Sequence, residues 1–297
     1  MSFSANTKAE LCRDRLQKKC CAVAEACGVL LYCGSVSPEQ IRIVTESADF
    51  AQRLPRLFHK AFRVDFDETN LSGKSAFLLT DREKIRAVLS AIGYDPGSSV
   101  TLHVNYALLE NDCCRRSFLR GAFLCGGSVT DPEKRYHLEL STNHRKVSLE
   151  TYSLLLDLGF APKDTLRNGS SILYFKQSEA IEDVLAYLGA PVASMAIAEA
   201  KIEKEMKNKI NRIVNCDNAN TSKIVEAAQN QIAAIRRLEE RGLLETLPEK
   251  LRQTAALRME NPESNLMELA ALFDPPLTKS ALNHRLRKLM ELGKEEA

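Results

Sequence analysis

RSFLRGAFLCGGSV, residues 116–129, combines an apolar stripe with three glycines. Phe118, Leu119, Ala122, Phe123 and Leu124 recur three and four residues apart, the period of an α-helix with one buried face. Gly121 lies within that stripe, where glycine costs about 1 kcal/mol of helix propensity relative to alanine. Such a position predicts the close approach of another backbone. Gly126 and Gly127 then supply the permissive dihedrals that end a helix. An earlier stretch, ACGVLLYCGSV (26–36), has the same build, with Gly28 inside and Gly34-Ser35-Val36 at its end. The pair predicts one helix packed against its own repeat.

Working outward, the landmarks recur in order. Gly34 matches Gly127, Phe62 matches Phe160, and Ile85-x-x-Val88-Leu89-x-x-x-Gly93 matches Ile181-x-x-Val184-Leu185-x-x-x-Gly189, at separations of 93, 98 and 96 residues. A long internal period of this kind signals duplication. Between the landmarks, strands are expected at 41–47, 74–81, 136–142 and 170–177, and helices at 50–62, 82–93, 147–160 and 178–189. Pro55 is expected in the first turn of its helix, where a missing amide does no harm. An N-terminal helix over Lys8–Gln17 is expected to start at Thr7 with Glu10 three residues later. Each repeat thus reads αββαβα. Tyr136, Leu138 and Leu140 alternate with His137, Glu139 and Ser141, so one sheet face meets helices and the other meets solvent or a partner. Two such sheets would form a saddle able to follow a DNA duplex.

The 297 residues are 44% apolar and 27% charged, ordinary values that allow two or three globular domains. A net charge of +2 means that attraction to nucleic acid must come from local patches. The nine cysteines include no CxxC pair, and the neighbours Cys20-Cys21 and Cys113-Cys114 lack chelating spacing, so no zinc site or other cofactor is expected. Free thiols in apolar helices fit a reducing cytosol. Neither a signal peptide nor a membrane span is expected.

At the C-terminal end, Ala196–Asn208 reads as a helix leaving the second repeat. NRIVNCDNANTSK (211–223) is dense in turn and cap formers and reads as a joint between domains, although Asn211, Arg212, Asn215 and Asn218 are also candidates for phosphate contact. A helix over 224–240, capped by Thr221 or Ser222, is expected next. Three short helices follow. One starts at Leu247-Pro248 and stops before Asn261-Pro262. One has the capping pattern Asn265-Leu266-Met267-Glu268 and buries Leu266, Leu269, Ala270 and Phe273. After Asp274-Pro275-Pro276 the last runs from Lys279 to Glu291 and buries Leu282, Leu286 and Leu289. This is the plan of a helix-turn-helix domain. Ser280, Asn283, His284 and Arg287 share one face of the last helix, flanked by Lys279, Arg285 and Lys288, and no acidic residue interrupts Lys279–Met290. Asn and Arg suit base edges; Ser, Lys and further Arg suit phosphates.

The duplicated helix ending in Gly-Ser resembles the LAGLIDADG motif of homing endonucleases. RSFLRGAFLCGGSVTDPEKRYHLEL, together with the C-terminal segment, closely resembles the WhiA family of bacterial regulators over nearly the whole chain. The resemblance implies an α+β architecture: a LAGLIDADG-like domain at 1–195 (repeats at about 18–95 and 112–190), a linker helix and joint at 196–222, and an all-α helix-turn-helix domain at 223–297. It also implies a transcriptional regulator linked to cell division and chromosome segregation, and in some bacteria to sporulation. In LAGLIDADG nucleases the motif's last acidic residue carries a carboxylate that holds divalent metal over the scissile phosphates. Here that position is Cys33 in the first helix and Gly126 in the second; the motif's earlier acidic position is Leu31 and Leu124. Asp131, Glu133 and Glu39 fall in loops downstream, where nothing in the spacing makes them converge. The expectation is therefore a non-enzymatic, nucleoid-associated cytoplasmic protein whose partner is double-stranded DNA. Arg42, Lys134, Arg135, Lys176 and Arg212 are candidate phosphate or partner contacts. Two alternatives stand beside it: a metal-dependent DNA endonuclease, and an adaptor that binds a sigma factor or polymerase through the saddle.

Overall fold

Two helices, α2 (Lys19–Tyr32) and α5 (Asp112–Gly126), cross at the centre of the first of two compact units. The computed structural model describes residues 2–70, 74–94 and 102–294. The expected end of the first repeat at residue 95, and the last residues of the C-terminal segment, 295–297, lie outside these. The units comprise Met1–Lys204 and Glu205–Ala297.

The helix crossing depends on the two internal glycines. A Cβ on Gly28 would lie 2.1 Å from the Phe118 carbonyl oxygen, and one on Gly121 would lie 2.0 Å from that of Glu25. Phe118 and Glu25 are 93 residues apart, as are Gly121 and Gly28, so the two contacts are reciprocal. Apolar contact on nearly every side explains why residues 24–33 are all buried. One polar cluster is enclosed beside the crossing. Arg53 donates to Glu25 from Nε (2.6 Å) and Nη2 (2.9 Å), and Arg120 Nη1 stands 3.7 Å from the same carboxylate while also pairing with Asp14.

Each repeat builds a four-stranded antiparallel sheet. In the first, β1 (Ser35–Val36), β2 (Ile41–Thr45), β3 (Glu68–Asn70) and β4 (Ser75–Leu79) take the order β1-β2-β4-β3. In the second, β5 (Gly127–Val129), β6 (Leu138–Thr142), β7 (Lys163–Arg167) and β8 (Ser170–Phe175) take the order β5-β6-β8-β7. Helices α3 (Ala48–Phe62) and α4 (Arg82–Ala91), and in the second repeat α6 (Arg145–Asp157) and α7 (Ser178–Leu188), complete the layers. The alternation read in Tyr136–Thr142 holds: Leu138, Leu140 and Thr142 are buried, and Glu139 and Ser141 are half-exposed.

Each repeat therefore reads αββαββα, with one strand more than the sequence pattern suggested. The extra strands β3 and β7 are exposed at every residue, so neither carries the alternation that marks a half-buried strand. Other differences are local. α1 spans Phe3–Cys12, earlier than expected, because Ser2 accepts from the Ala5 amide as its cap. Thr7 is buried, and Glu10 instead accepts from the amides of Val192 (2.7 Å) and Ala193 (3.0 Å), capping the next long helix. Pro55 lies in the middle of α3, which Ser47 caps at Ala48. The left-handed residues that end α3 and α6, Arg63 (φ 61°) and Gly159 (φ 85°), are 96 residues apart, so Phe160 corresponds to Val64 and not to Phe62.

The expected joint at 211–223 and helix start at Thr221 or Ser222 are absent, because a single helix, α8, runs over Pro191–Glu240. Its Asn, Asp, Ser and Thr residues between 211 and 223 are all exposed, so their side chains meet water without withdrawing backbone bonds from the helix.

In the second unit Ile235 and Leu238 of α8 pack with three short helices: α9 (Glu249–Glu260), α10 (Leu266–Ala271) and α11 (Lys279–Leu292). Asn265 and Glu268 form the expected capping box of α10. Arg258 is buried and clamps the α9–α10 loop by donating to the carbonyls of Asn261 (3.2 Å) and Ser264 (2.8 Å).

Candidate nucleic-acid interface

Helix α11 starts at Thr278, whose hydroxyl accepts from the Ala281 amide at 3.2 Å. Its Leu282, Leu286 and Leu289 close the core beneath it, so the turns between them project outward. Lys279, Ser280, His284, Arg287 and Lys288 are exposed, and Asn283 and Arg285 are half-buried. The seven residues do not behave alike. The Arg285 guanidinium lies 5.6 Å from the centre of the Phe273 ring, a cation–π contact that ties it to the domain core. Lys288 Nζ is 3.9 Å from Glu291 Oε2, a loose exposed pair. Ser280, His284 and Arg287 are thus the exposed centre of the face.

The other candidate cations are dispersed. Arg42 lies exposed on β2, and Lys134 and Arg135 are exposed in the turn after β5. Lys176 follows β8, its ammonium 5.2 Å from the Tyr174 ring centre. Arg212 belongs to the second unit, exposed on α8.

The second sheet carries two further cations that the sequence reading missed, Lys163 and Arg167 of β7. Arg167 Nη2 is 3.2 Å from Glu139 Oε1, and His137 Nε2 is 3.1 Å from Oε2 of the same carboxylate. Burial pushes the Glu139 carboxyl up, but the His137 hydrogen bond and the Arg167 charge outweigh it and hold the group below its ordinary range. The signal for β7 was present in Asn168-Gly169, a two-residue hairpin loop with both φ values positive (51° and 80°) that pairs Arg167 with Ser170.

At the ends of the central helices the nuclease positions offer no carboxylate. The Cys33 thiol is buried and donates to the Leu30 carbonyl at 3.2 Å, and burial pushes it up to about 12. A Cβ on Gly126 would lie 2.4 Å from the Ser141 carbonyl oxygen, so the site is closed to any side chain. Asp131 is committed to its own turn, accepting from the Glu133 amide at 3.0 Å. Among the described residues, the group of three or more metal-ligating side chains that does converge lies elsewhere: Cys20, Cys21 and Cys114. Sequence spacing had given these cysteines no chelating pattern.

The arrangement matches a known family. Residues 24–100 and 115–207 match the model described as the WhiA LAGLIDADG-like domain, and residues 210–293 match the WhiA C-terminal HTH domain. The chain belongs to the WhiA family. It is 35% identical over 312 residues to the probable cell division protein WhiA of Alkaliphilus metalliredigens, covering 100% of this chain and 98% of that one. It is 38% identical to the corresponding WhiA of Ruminiclostridium cellulolyticum, covering 99% and 97%. The crystal structure of full-length WhiA from Thermotoga maritima superposes with a TM-score of 0.62 at 24% identity over 100% of both chains, a likeness of fold. The first match covers Gly28 and Gly121, beginning within each of the two crossing helices, and the second contains the trihelical segment α9–α11.

Proposed function

We propose that this WhiA-family chain is a sequence-specific DNA-binding regulator of transcription that serves cell division and chromosome segregation, and sporulation where the host sporulates. It reads base edges of double-stranded DNA through α11, and its duplicated LAGLIDADG-like domain is a scaffold without nuclease chemistry. The observation that carries this reading is the outer face of α11. Ser280, His284 and Arg287 stand exposed over a buried leucine stripe, with Lys279 and Lys288 beside them and no acid between Lys279 and Met290. A cationic helix face at this position in a helix-turn-helix suits the major groove. Arg42, Lys163, Arg167, Lys176 and Arg212 would add sequence-independent, salt-dependent contacts to phosphates. The names of the relatives support the link to cell division. No helix among the described residues is long and apolar enough to cross a membrane; the place on the nucleoid follows from the proposed DNA contact alone.

Genome-wide footprinting with the intact chain tests the reading. Discrete protected sites that require Arg287 are expected; uniform, salt-sensitive coating of DNA would overturn it. Incubation of the bound sites with Mg²⁺ or Mn²⁺ tests the silent scaffold, with uncut DNA expected. The adaptor alternative, in which the sheets dock a sigma factor or polymerase, predicts instead that specific binding needs that protein.

A further inference from the structure

Cys20 and Cys21 occupy the second and third positions of α2, and Cys113 and Cys114 the same positions of α5. Each is 93 residues from its counterpart, the separation that relates Gly28 to Gly121. The reciprocal crossing of the two helices therefore sets two vicinal thiol pairs against one another. The sulfurs of Cys20, Cys21 and Cys114 all lie within 4.8 Å of one another. Cys21 and Cys113 are electrostatic neighbours, as are Cys20 and Cys114. All four thiols are free, and exposure grades from the open Cys20, through half-buried Cys21 and Cys113, to buried Cys114.

We infer that these cysteines form a binding site for a thiophilic cation such as Zn²⁺, with Cys20, Cys21 and Cys114 as three ligands and Cys113 at the fourth position. A tetrahedral thiolate site has metal–sulfur bonds of about 2.3 Å and hence sulfur–sulfur edges of about 3.8 Å. Three sulfurs already within 4.8 Å reach that geometry through small rotations. A disulfide would join two of them at about 2.05 Å and leave the third unused. Lys18 and Arg116 line the same cleft as Cys21 and Cys113, where their positive charge would offset that of bound thiolates. Each ligand binds as thiolate and releases its proton to solvent. Occupied, the site would clamp together the ends of the two helices on which the first unit is built.

The test uses the full-length reduced chain in chelator-free buffer, titrated with Co²⁺ alone and then with Zn²⁺. Expected are a near-ultraviolet thiolate-to-cobalt band that saturates at one ion per chain, and its loss on addition of Zn²⁺. Cys20→Ser/Cys114→Ser should remove the band and weaken Zn²⁺ binding by about 100-fold or more. Cys20→Ser, which changes an exposed residue, should keep the parent circular dichroism spectrum and weaken binding by about 10-fold or more. Cys216→Ser, an exposed thiol of the second unit, should leave it unchanged. No thiolate band, a band that survives in the double variant, or a Cys20–Cys114 disulfide that forms in air at the same rate with and without Zn²⁺ would each overturn the proposal.

Discussion

Gly121 and Glu25 meet backbone to backbone: a Cβ on Gly121 would lie 2.0 Å from the Glu25 carbonyl oxygen. No flexible side-chain end is there to give way. Gly121→Ala gains about 1 kcal/mol of helix propensity but must push two central helices apart. A net loss of about 3 kcal/mol is expected in denaturant unfolding, at the upper end of overpacking costs. Gly34→Ala is the control, since nothing lies within 4 Å of its added Cβ; its stability should change by less than about 1 kcal/mol.

Glu25 is the shared counter-ion of Arg53 and Arg120, all three nearly excluded from water. Glu25→Ala leaves the buried Arg53 guanidinium with only the Cys12 and Asp14 carbonyls as partners, while Arg120 keeps Asp14. A loss of about 3–5 kcal/mol is expected, the cost of breaking a buried pair from one side. Arg53→Met/Glu25→Met should recover part of that loss, which a double-mutant cycle in urea measures.

Asp67 accepts from Lys84 and from the amides of Thr80 (2.7 Å) and Asp81 (2.9 Å). The Lys84 hydrogen bond, helped by those amides against desolvation, lowers its carboxyl to about 2. A depressed carboxylate contributes stability that is present above the unfolded value of about 3.9 and is lost as pH falls through the folded one. Asp67→Asn should cost about 1 kcal/mol at neutral pH, a figure discounted for solvent screening. The gap to the parent chain should close between pH of about 4 and 2 in thermal melts.

On α11 the two central arginines should separate by assay. Arg287→Ala, exposed, should weaken specific DNA binding by about 1–3 kcal/mol in a salt-controlled anisotropy titration and leave the melting temperature in place. Arg285→Ala loses the contact over Phe273 and should destabilise the second unit by about 0.5–1 kcal/mol.

Much of this molecule was legible in its sequence because the signals were local. The glycines inside two apolar helices announced a close crossing, and the Asn265–Glu268 box and the prolines around it marked the short helices. The capping of α1 by Ser2 and the uninterrupted α8 were not legible, because cap and turn formers in water bind the backbone or leave it alone depending on their surroundings. β3 and β7 lacked alternation, since an edge strand with no buried face has no reason to alternate.

The sequence by itself determined the duplication, the helices that carry it, the absence of a carboxylate at residues 33 and 126, and the basic face of α11. All follow from residue type and spacing along one chain. Only the tertiary structure decided that Glu10 caps a helix starting at Pro191, that Arg285 serves the core while Arg287 faces outward, and that two unremarkable cysteine pairs converge. Those outcomes depend on which backbones approach in space, and a separation of 93 residues says nothing about distance until the two helices cross.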